Sequence, residues 1–155
     1  MPLTLRETDF APIDGYPFQR WGARQGPPFD DIRPLTAPAA ERAGRRALQI
    51  GSVGDDAALP SNLYERQARL DLAALTEWDD AYVRDWLLRH LPDRSQPVLV
   101  SYGPPWAVRV PWGSFCDHWL TFCWPDACCA WPDADEPWVL RYERDGFLIG
   151  WRRAR

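Results

Sequence analysis

The chain contains no lysine, and all 18 of its basic residues are arginine. It therefore has neither the phosphate-binding lysine of a P-loop nor an amine that forms Schiff bases with carbonyl substrates. The glycine-rich patterns G-x-x-x-x-G-K-[ST] and G-x-G-x-x-G are also absent from the sequence. These absences exclude lysine-based covalent catalysis and give no sign of a nucleotide-binding loop.

Long apolar runs are missing as well. No stretch approaches the roughly 20 apolar residues that a membrane-spanning helix needs. Residues 1–6 are not the basic start of a signal peptide with a long apolar core. The four cysteines all fall between Cys116 and Cys129, whereas a secreted disulfide framework spreads its cysteines along the chain. We therefore expect a cytoplasmic protein with reduced thiols.

A basic stripe is the third missing feature. The net charge is −4 and the pI about 5.1, and the cluster of Arg42, Arg45 and Arg46 is interleaved with Glu41. Nucleic-acid binding depends largely on neutralised phosphates, so we predict no nucleic-acid partner. An acidic protein is better suited to a basic protein surface.

What is present indicates one globular domain. The 155 residues are 46% apolar and 26% charged, which is ordinary for a domain with its own core. We predict a single domain over 1–155 in three segments. Residues 1–34 form an arm rich in proline and aromatics, 35–92 a helical segment, and 97–152 a sheet with one inserted helix.

Three helices are predicted in the helical segment. The first spans residues 36–50 and has Thr36 as its N-cap. The second starts at Asn62 or the residue before it, because Glu65 completes a pattern like a capping box. The third is capped by Thr76 and ends before Pro92, and its apolar stripe consists of Trp78, Tyr82, Val83, Trp86, Leu87 and Leu91.

After residue 97 the pattern changes to strands, predicted over 98–102, 107–110, 127–131, 138–144 and 147–152, with a helix over 112–123. Asp145-Gly146 predicts a type I′ hairpin turn, because that turn needs positive φ. The register that follows pairs Tyr142 with Ile149, and leaves Arg141 on a solvent-facing side. The predicted fold is therefore α+β: an N-terminal arm and helices, then a mainly antiparallel sheet with one inserted helix.

Cys116, His118, Cys123, Cys128 and Cys129 are residue types that bind zinc. Their spacing lacks paired C-x-x-C motifs, and residues 116 and 118 of a helix point about 200° apart. Buried cysteines commonly act as small apolar residues. We predict no metal and no cofactor, and a zinc-stabilised structural module stays an alternative.

Ser114, Asp117 and His118 share the polar face of the predicted helix over 112–123. Ser114 and His118 are four residues apart and therefore within reach of each other. A catalytic triad needs the acid to hold the far nitrogen of the histidine ring, and the adjacent Asp117 is poorly placed for that. A hydrolase-type enzyme using this face or an acidic loop stays the alternative to a protein without catalytic activity.

An exposed acidic loop is predicted over residues 133–137, and two tryptophans lie near turns. Exposed tryptophans often anchor protein interfaces, and acidic groups suit a basic partner. The predicted partner-binding residues are Trp124, Asp126, Trp131, Asp133, Asp135 and Glu136. A solubilising loop, and tryptophans that cover the sheet edges, would explain the same residues.

The last third of the chain carries a family resemblance. Its pieces are Trp112-x-x-Phe115-x-x-His118-Trp119-x-x-Phe122 and Asp145-Gly146-x-Leu148-x-Gly150-x-Arg152, with Asp31-Ile-Arg-Pro-Leu-Thr36 further upstream. With these motifs the chain resembles small bacterial immunity proteins of polymorphic-toxin systems. The resemblance implies a cytoplasmic protein that binds and neutralises a cognate toxin, and it brings no catalytic residues. No nucleic acid or membrane is expected as a partner, and the oligomeric state stays open.

Overall fold

The computed structural model describes residues 3–12, 31–51, 59, 62–75, 79–103, 105–123, 127–143 and 146–153. Four α-helices and seven strands occur in this part of the chain, in an α+β arrangement. In chain order they are β1 (Arg33–Pro34), α1 (Ala37–Gly51), β2 (Tyr64–Asp71), α2 (Asp80–His90), β3 (Pro97–Ser101), β4 (Ala107–Pro111), α3 (Trp112–Asp117), α4 (Trp119–Phe122), β5 (Ala127–Pro132), β6 (Trp138–Glu143) and β7 (Gly146–Arg152).

The seven strands form one sheet in the order β1-β4-β3-β5-β6-β7-β2, and every neighbouring pair is antiparallel. The predicted fold class is confirmed, with α3 and α4 inserted between β4 and β5. The arm contributes more than expected. Residues 33–34 pair with β4 as an edge strand, and Phe10 forms a bridge with Leu35.

The sheet has helices on both faces, which corrects the predicted solvent-facing side. Alternate residues of each strand belong to different cores, because side chains along a strand point to opposite faces. One core includes α2, α3 and α4 with Val98, Val100 and Leu140. The other includes α1 with Leu99 and Val139. The face predicted to be wet therefore lies under α1.

The predicted helix over 36–50 is confirmed as α1. Ala39 N–H donates to the side chain of Thr36 at 3.4 Å, so Thr36 caps the helix as predicted. Apart from Ile50, the buried residues of α1 are alanines and glycines, which lets the helix lie close to the strands. They are Ala39, Ala40, Ala43, Gly44, Ala47, Ile50 and Gly51.

The second predicted helix is wrong, because Tyr64–Asp71 is the edge strand β2, which pairs along its length with β7. Tyr64 and Leu70 are buried while the residues between them are exposed or half-buried. Pairing with β7 outweighs the local capping signal of Asn62 and Glu65, since helix propensity is a weak preference. The segment 35–92 is therefore not wholly helical.

The third predicted helix is α2, but it begins later than expected. The side chain of Asp79 accepts a hydrogen bond from Tyr82 N–H at 2.8 Å and caps it. The predicted cap, Thr76, lies outside the described residues. Val83, Trp86 and Leu87 are buried, as the apolar stripe predicted, and the helix ends at His90.

The predicted helix over 112–123 is two short helices, because the backbone at His118 leaves the helical region with φ −126° and ψ 33°. Two buried indoles connect α3 and α4 to the two ends of α2 by hydrogen bonds. Trp112 Nε1 donates to Leu91 O at 2.7 Å, and Trp119 Nε1 donates to Asp80 O at 3.1 Å. A buried indole N–H needs such a partner.

The predicted strands after residue 97 and the β6–β7 hairpin are present, but the predicted register is wrong by two residues. The pairs are Leu140 with Ile149 and Tyr142 with Phe147, and the last pair is Glu143 with Gly146. A shift of two keeps each side chain on its predicted face of the sheet. A turn centred on Asp145-Gly146 would instead pair residue 144 with Phe147.

Candidate functional site

The predicted acidic loop is largely engaged within the protein. Glu136 is 4% exposed and lies between two arginines. Arg46 Nε donates to Glu136 Oε2 at 2.7 Å and Arg46 also contacts Oε1, while Arg152 NH1 donates to Oε1 at 3.1 Å. The hydrogen bond to Glu136 raises the pKa of the Arg46 guanidinium. Glu136 therefore joins α1, the loop and β7, and offers little surface to a partner.

Glu136 also occupies an unusual backbone conformation, with φ +40°. Left-handed φ values are uncommon for residues other than glycine and carry a cost in strain. The two arginine contacts and the bond from Arg152 N–H to Pro137 O at 2.9 Å stabilise this conformation. The loop shape thus depends on the buried carboxylate.

Asp133 forms a second internal ion pair, at 2.8 Å from Arg109 Nε. Burial raises the pKa of the Asp133 carboxyl, and nearby Arg109 offsets this effect in part. Asp133 borders a cleft of about 360 Å³ next to Arg109 and the arm residues Leu3 and Leu5. Asp135 is exposed.

One of the two predicted tryptophan anchors, Trp131, is not at the surface. Trp131 is 1% exposed and belongs to the core under α1. Trp124 and Asp126 lie outside the described residues. Of the predicted partner-binding residues that the structure describes, Asp135 is exposed and Asp133 is half-buried, whereas Trp131 and Glu136 are buried.

The structure gives the residues of the hydrolytic candidate separate partners. Ser114 Oγ donates to Asp31 Oδ2 at 3.2 Å, and Asp117 is paired with Arg94. The Ser114 proton is therefore directed to a carboxylate rather than to a histidine ring.

The four cysteines are reduced and buried. Burial raises the pKa of the Cys116, Cys123 and Cys129 thiols, so the thiolate that binds metals is disfavoured. Cys129 faces α1, whereas the other three lie in the core under α2–α4. Among the described residues, no group of three or more His, Cys, Asp and Glu side chains is arranged to hold a metal ion.

An exposed apolar pair was missed by the sequence interpretation. Tyr82 of α2 is 44% exposed and Leu120 of α4 is 46% exposed. The bond from Trp119 Nε1 to Asp80 O brings α4 beside the first turn of α2, where Asp79 and Asp80 are exposed. We call Asp79, Asp80, Tyr82 and Leu120 the α2–α4 face. The predicted apolar stripe of the third helix counted Tyr82 as core, so no sequence signal marked this face.

A second feature was also missed, a cavity between the C-terminal half of α1 and the sheet, with a volume of about 220 Å³. Ser101, Cys129 and Arg141 lie side by side on β3, β5 and β6 in its lining. Ser101 and Arg141 are 3% and 6% exposed, which is unusual for polar residues.

The comparisons with known proteins give no relative from which a role could be transferred. No family model matches the chain, and no curated protein or solved structure is similar to it. In the described part of the chain, no helix is long and apolar enough to cross a membrane.

Proposed function

We propose that this protein binds a partner protein through the α2–α4 face and that it acts in the cytoplasm as an immunity protein against a cognate toxin. The exposure of Tyr82 and Leu120 on two helices that contact each other, with Asp79 and Asp80 exposed at the start of α2, is the observation that carries this proposal. Tyrosine is enriched among the residues that dominate binding energy at interfaces. The immunity role itself depends on the resemblance described above.

The charge of this face indicates the partner. Asp79 and Asp80 are exposed at the start of α2, and the whole chain has a net charge of −4. Complementary charge speeds association and suppresses wrong partners. A basic surface with an apolar recess for Tyr82 and Leu120 is the matching partner, and many toxin enzymes that act on nucleic acids have such basic surfaces.

Two observations favour binding over hydrolysis. Ser114 and Asp117 are engaged by Asp31 and Arg94. The acidic loop, the other catalytic candidate, uses Glu136 and Asp133 to pair with arginines of α1, β4 and β7. These contacts give structural roles to Ser114 and Asp117 and to the acidic loop.

Co-expression tests the proposal. The product of the adjacent gene is expressed alone and together with this chain, and growth and co-purification are measured. We expect the neighbour to arrest growth, and the chain to restore growth and co-purify with it in one-to-one ratio. Arrest without rescue and without a complex would contradict the proposal.

Variants locate the surface in the same assay. Leu120→Glu adds a negative charge on the α2–α4 face and should abolish rescue. Ala37→Glu adds the same charge at the exposed start of α1, on the opposite side of the sheet, and should leave rescue intact. Loss of rescue with both variants, or with neither, would place the surface elsewhere.

A further inference from the structure

The cavity under α1 has mainly apolar walls. Ala47 and Leu48 of α1 and Ala127 of β5 contribute apolar groups, and Leu48 is 61% exposed at the cavity edge. An apolar cavity of about 150 Å³ holds benzene, and this cavity has a volume of about 220 Å³. The space therefore fits one ring with a few further atoms. Small-molecule sites typically combine such an apolar cleft with a few polar groups that orient the ligand.

The charges in the lining balance each other. Of the described residues that line the cavity, Arg141 and Glu143 are the charged ones, and they form a long ion pair with Arg141 Nε 4.0 Å from Glu143 Oε2. Arg141 NH1 also donates to Gly51 O at 3.0 Å. A charged ligand would lose its hydration here without meeting an unbalanced opposite charge, and burying an unpaired charge is costly. The lining therefore favours a neutral ligand.

Ser101 supplies a hydrogen-bond donor that can orient such a ligand. It follows Leu99 by two residues on β3, so its side chain points to the face of the sheet that α1 covers. The residue is 3% exposed and lines the cavity. Gly103 N–H donates to Ser101 Oγ at 3.3 Å, whereas the Ser101 hydroxyl donates to no acceptor among the described residues. A hydroxyl can donate while it accepts, so its proton is available to an acceptor in the cavity.

We propose that the cavity under α1 binds a small neutral carbonyl compound with one apolar ring, whose carbonyl oxygen accepts a hydrogen bond from Ser101 Oγ while its ring packs against Ala47 and Leu48. The site is on the opposite side of the sheet from the α2–α4 face. It therefore does not depend on the proposed toxin-binding function, and neither result decides the other.

A matched pair of ligands tests the hydrogen bond. Acetophenone and α-methylstyrene have the same shape, but only acetophenone has a carbonyl oxygen, and protein-detected NMR titration measures both affinities. Ser101→Ala removes the donor and should weaken acetophenone binding about two- to tenfold, as expected for one neutral hydrogen bond, with α-methylstyrene binding unchanged. An equal effect on the two ligands would overturn the proposal. So would the absence of acetophenone binding at about 10 mM, the weak limit for a ligand of this size.

Charged analogues test the preference for a neutral ligand on the unaltered protein. Benzoate and benzylamine have the same ring and opposite charges at neutral pH. Each should bind at least about tenfold more weakly than acetophenone, because the balanced pair of Arg141 and Glu143 does not compensate the lost hydration of either ion. Binding of either ion as tight as that of acetophenone, or tighter, would contradict the assignment.

A variant that fills the cavity places the site. Ala47→Leu extends a side chain into the cavity and should abolish acetophenone binding, and because the cavity has room for the added atoms the variant should fold. Ala37→Leu adds the same group at the exposed far end of α1 and should not alter binding. Ala47→Leu leaves Ser101 intact, so it tests the location even if Ser101→Ala does not fold. Undiminished acetophenone binding in Ala47→Leu would place the ligand elsewhere and overturn the proposal.

Discussion

Replacing Glu136 by glutamine should destabilise the whole fold rather than remove a contact residue. Glu136→Gln keeps the shape of the side chain but removes the charge between Arg46 and Arg152, whose side chains are 12% and 20% exposed. Breaking a buried ion pair by removing one partner costs about 3–5 kcal/mol. The amide oxygen of glutamine still accepts one hydrogen bond, so we expect a loss of about 3 kcal/mol, at the lower end of this range.

The loss is measured by urea unfolding and by thermal melting. At about 2–4 °C per kcal/mol for a chain of this size, Tm should fall by about 6–12 °C. Asp135→Asn, at the exposed neighbouring position, should change the stability by less than about 0.5 kcal/mol. A loss below about 1 kcal/mol for Glu136→Gln would show that the carboxylate between Arg46 and Arg152 does not stabilise the fold as proposed. If Glu136 were a contact residue instead, the same variant would weaken partner binding at an unchanged Tm.

Three further predictions concern the buried cysteines, Asp133 and Gly150. All four cysteines are buried, so they should not react with iodoacetamide at pH 8 until urea unfolds the chain, as mass spectrometry would show; fast labelling would contradict their placement. The pKa of Asp133 is raised above 3.8, so the folded state binds its proton more tightly and this group lowers stability as pH rises through the raised folded pKa. Asp133→Asn should flatten that part of the stability–pH curve, and an unchanged curve would be inconsistent with the shift. Gly150→Ala should cost about 1–3 kcal/mol in urea unfolding, because the added Cβ would lie 2.9 Å from Tyr64 Cδ1, in a ring whose hydroxyl is bonded to Ile50 O; a neutral substitution would contradict this packing.

The local signals in the sequence predicted the elements that depend on local chemistry. Thr36 and the alanines that follow it predicted α1 correctly, and the alternating residues on both sides of Asp145-Gly146 predicted β6 and β7. These segments have the periodicity of the structure they form, so local preference and packing agree.

The sequence predictions were wrong where residues distant in the chain determine the secondary structure or the burial of a side chain. β2 forms because β7 pairs with it, and nothing within residues 61–71 reveals that partner. Arg141 appeared to face solvent because its neighbours alternate in polarity, whereas α1 covers that face of the sheet. Glu136 looked like a surface residue because a sequence cannot show that Arg46 and Arg152 converge on one carboxylate. Trp131 looked like one because the sequence does not show that α1 covers its side of the sheet.

The candidate sites were harder to predict than the fold. Tyr82 and Leu120 have the spacing of core residues, and their exposure follows from how α2 and the helix break at His118 are placed. The floor of the cavity joins residues of β3, β5 and β6, and β3 and β5 are neighbours in the sheet although β4 and two short helices separate them in the chain.

The affinity of the protein for the product of the adjacent gene, measured by calorimetry for matched variants, tests the central claim most directly. Truncating an interface anchor costs about 2 kcal/mol or more, which is about thirtyfold in Kd. Tyr82→Ala and Leu120→Glu should each weaken the complex at least that much, while Ala37→Glu should bind as the unaltered chain does. Full affinity in both face variants would contradict a function based on the α2–α4 face.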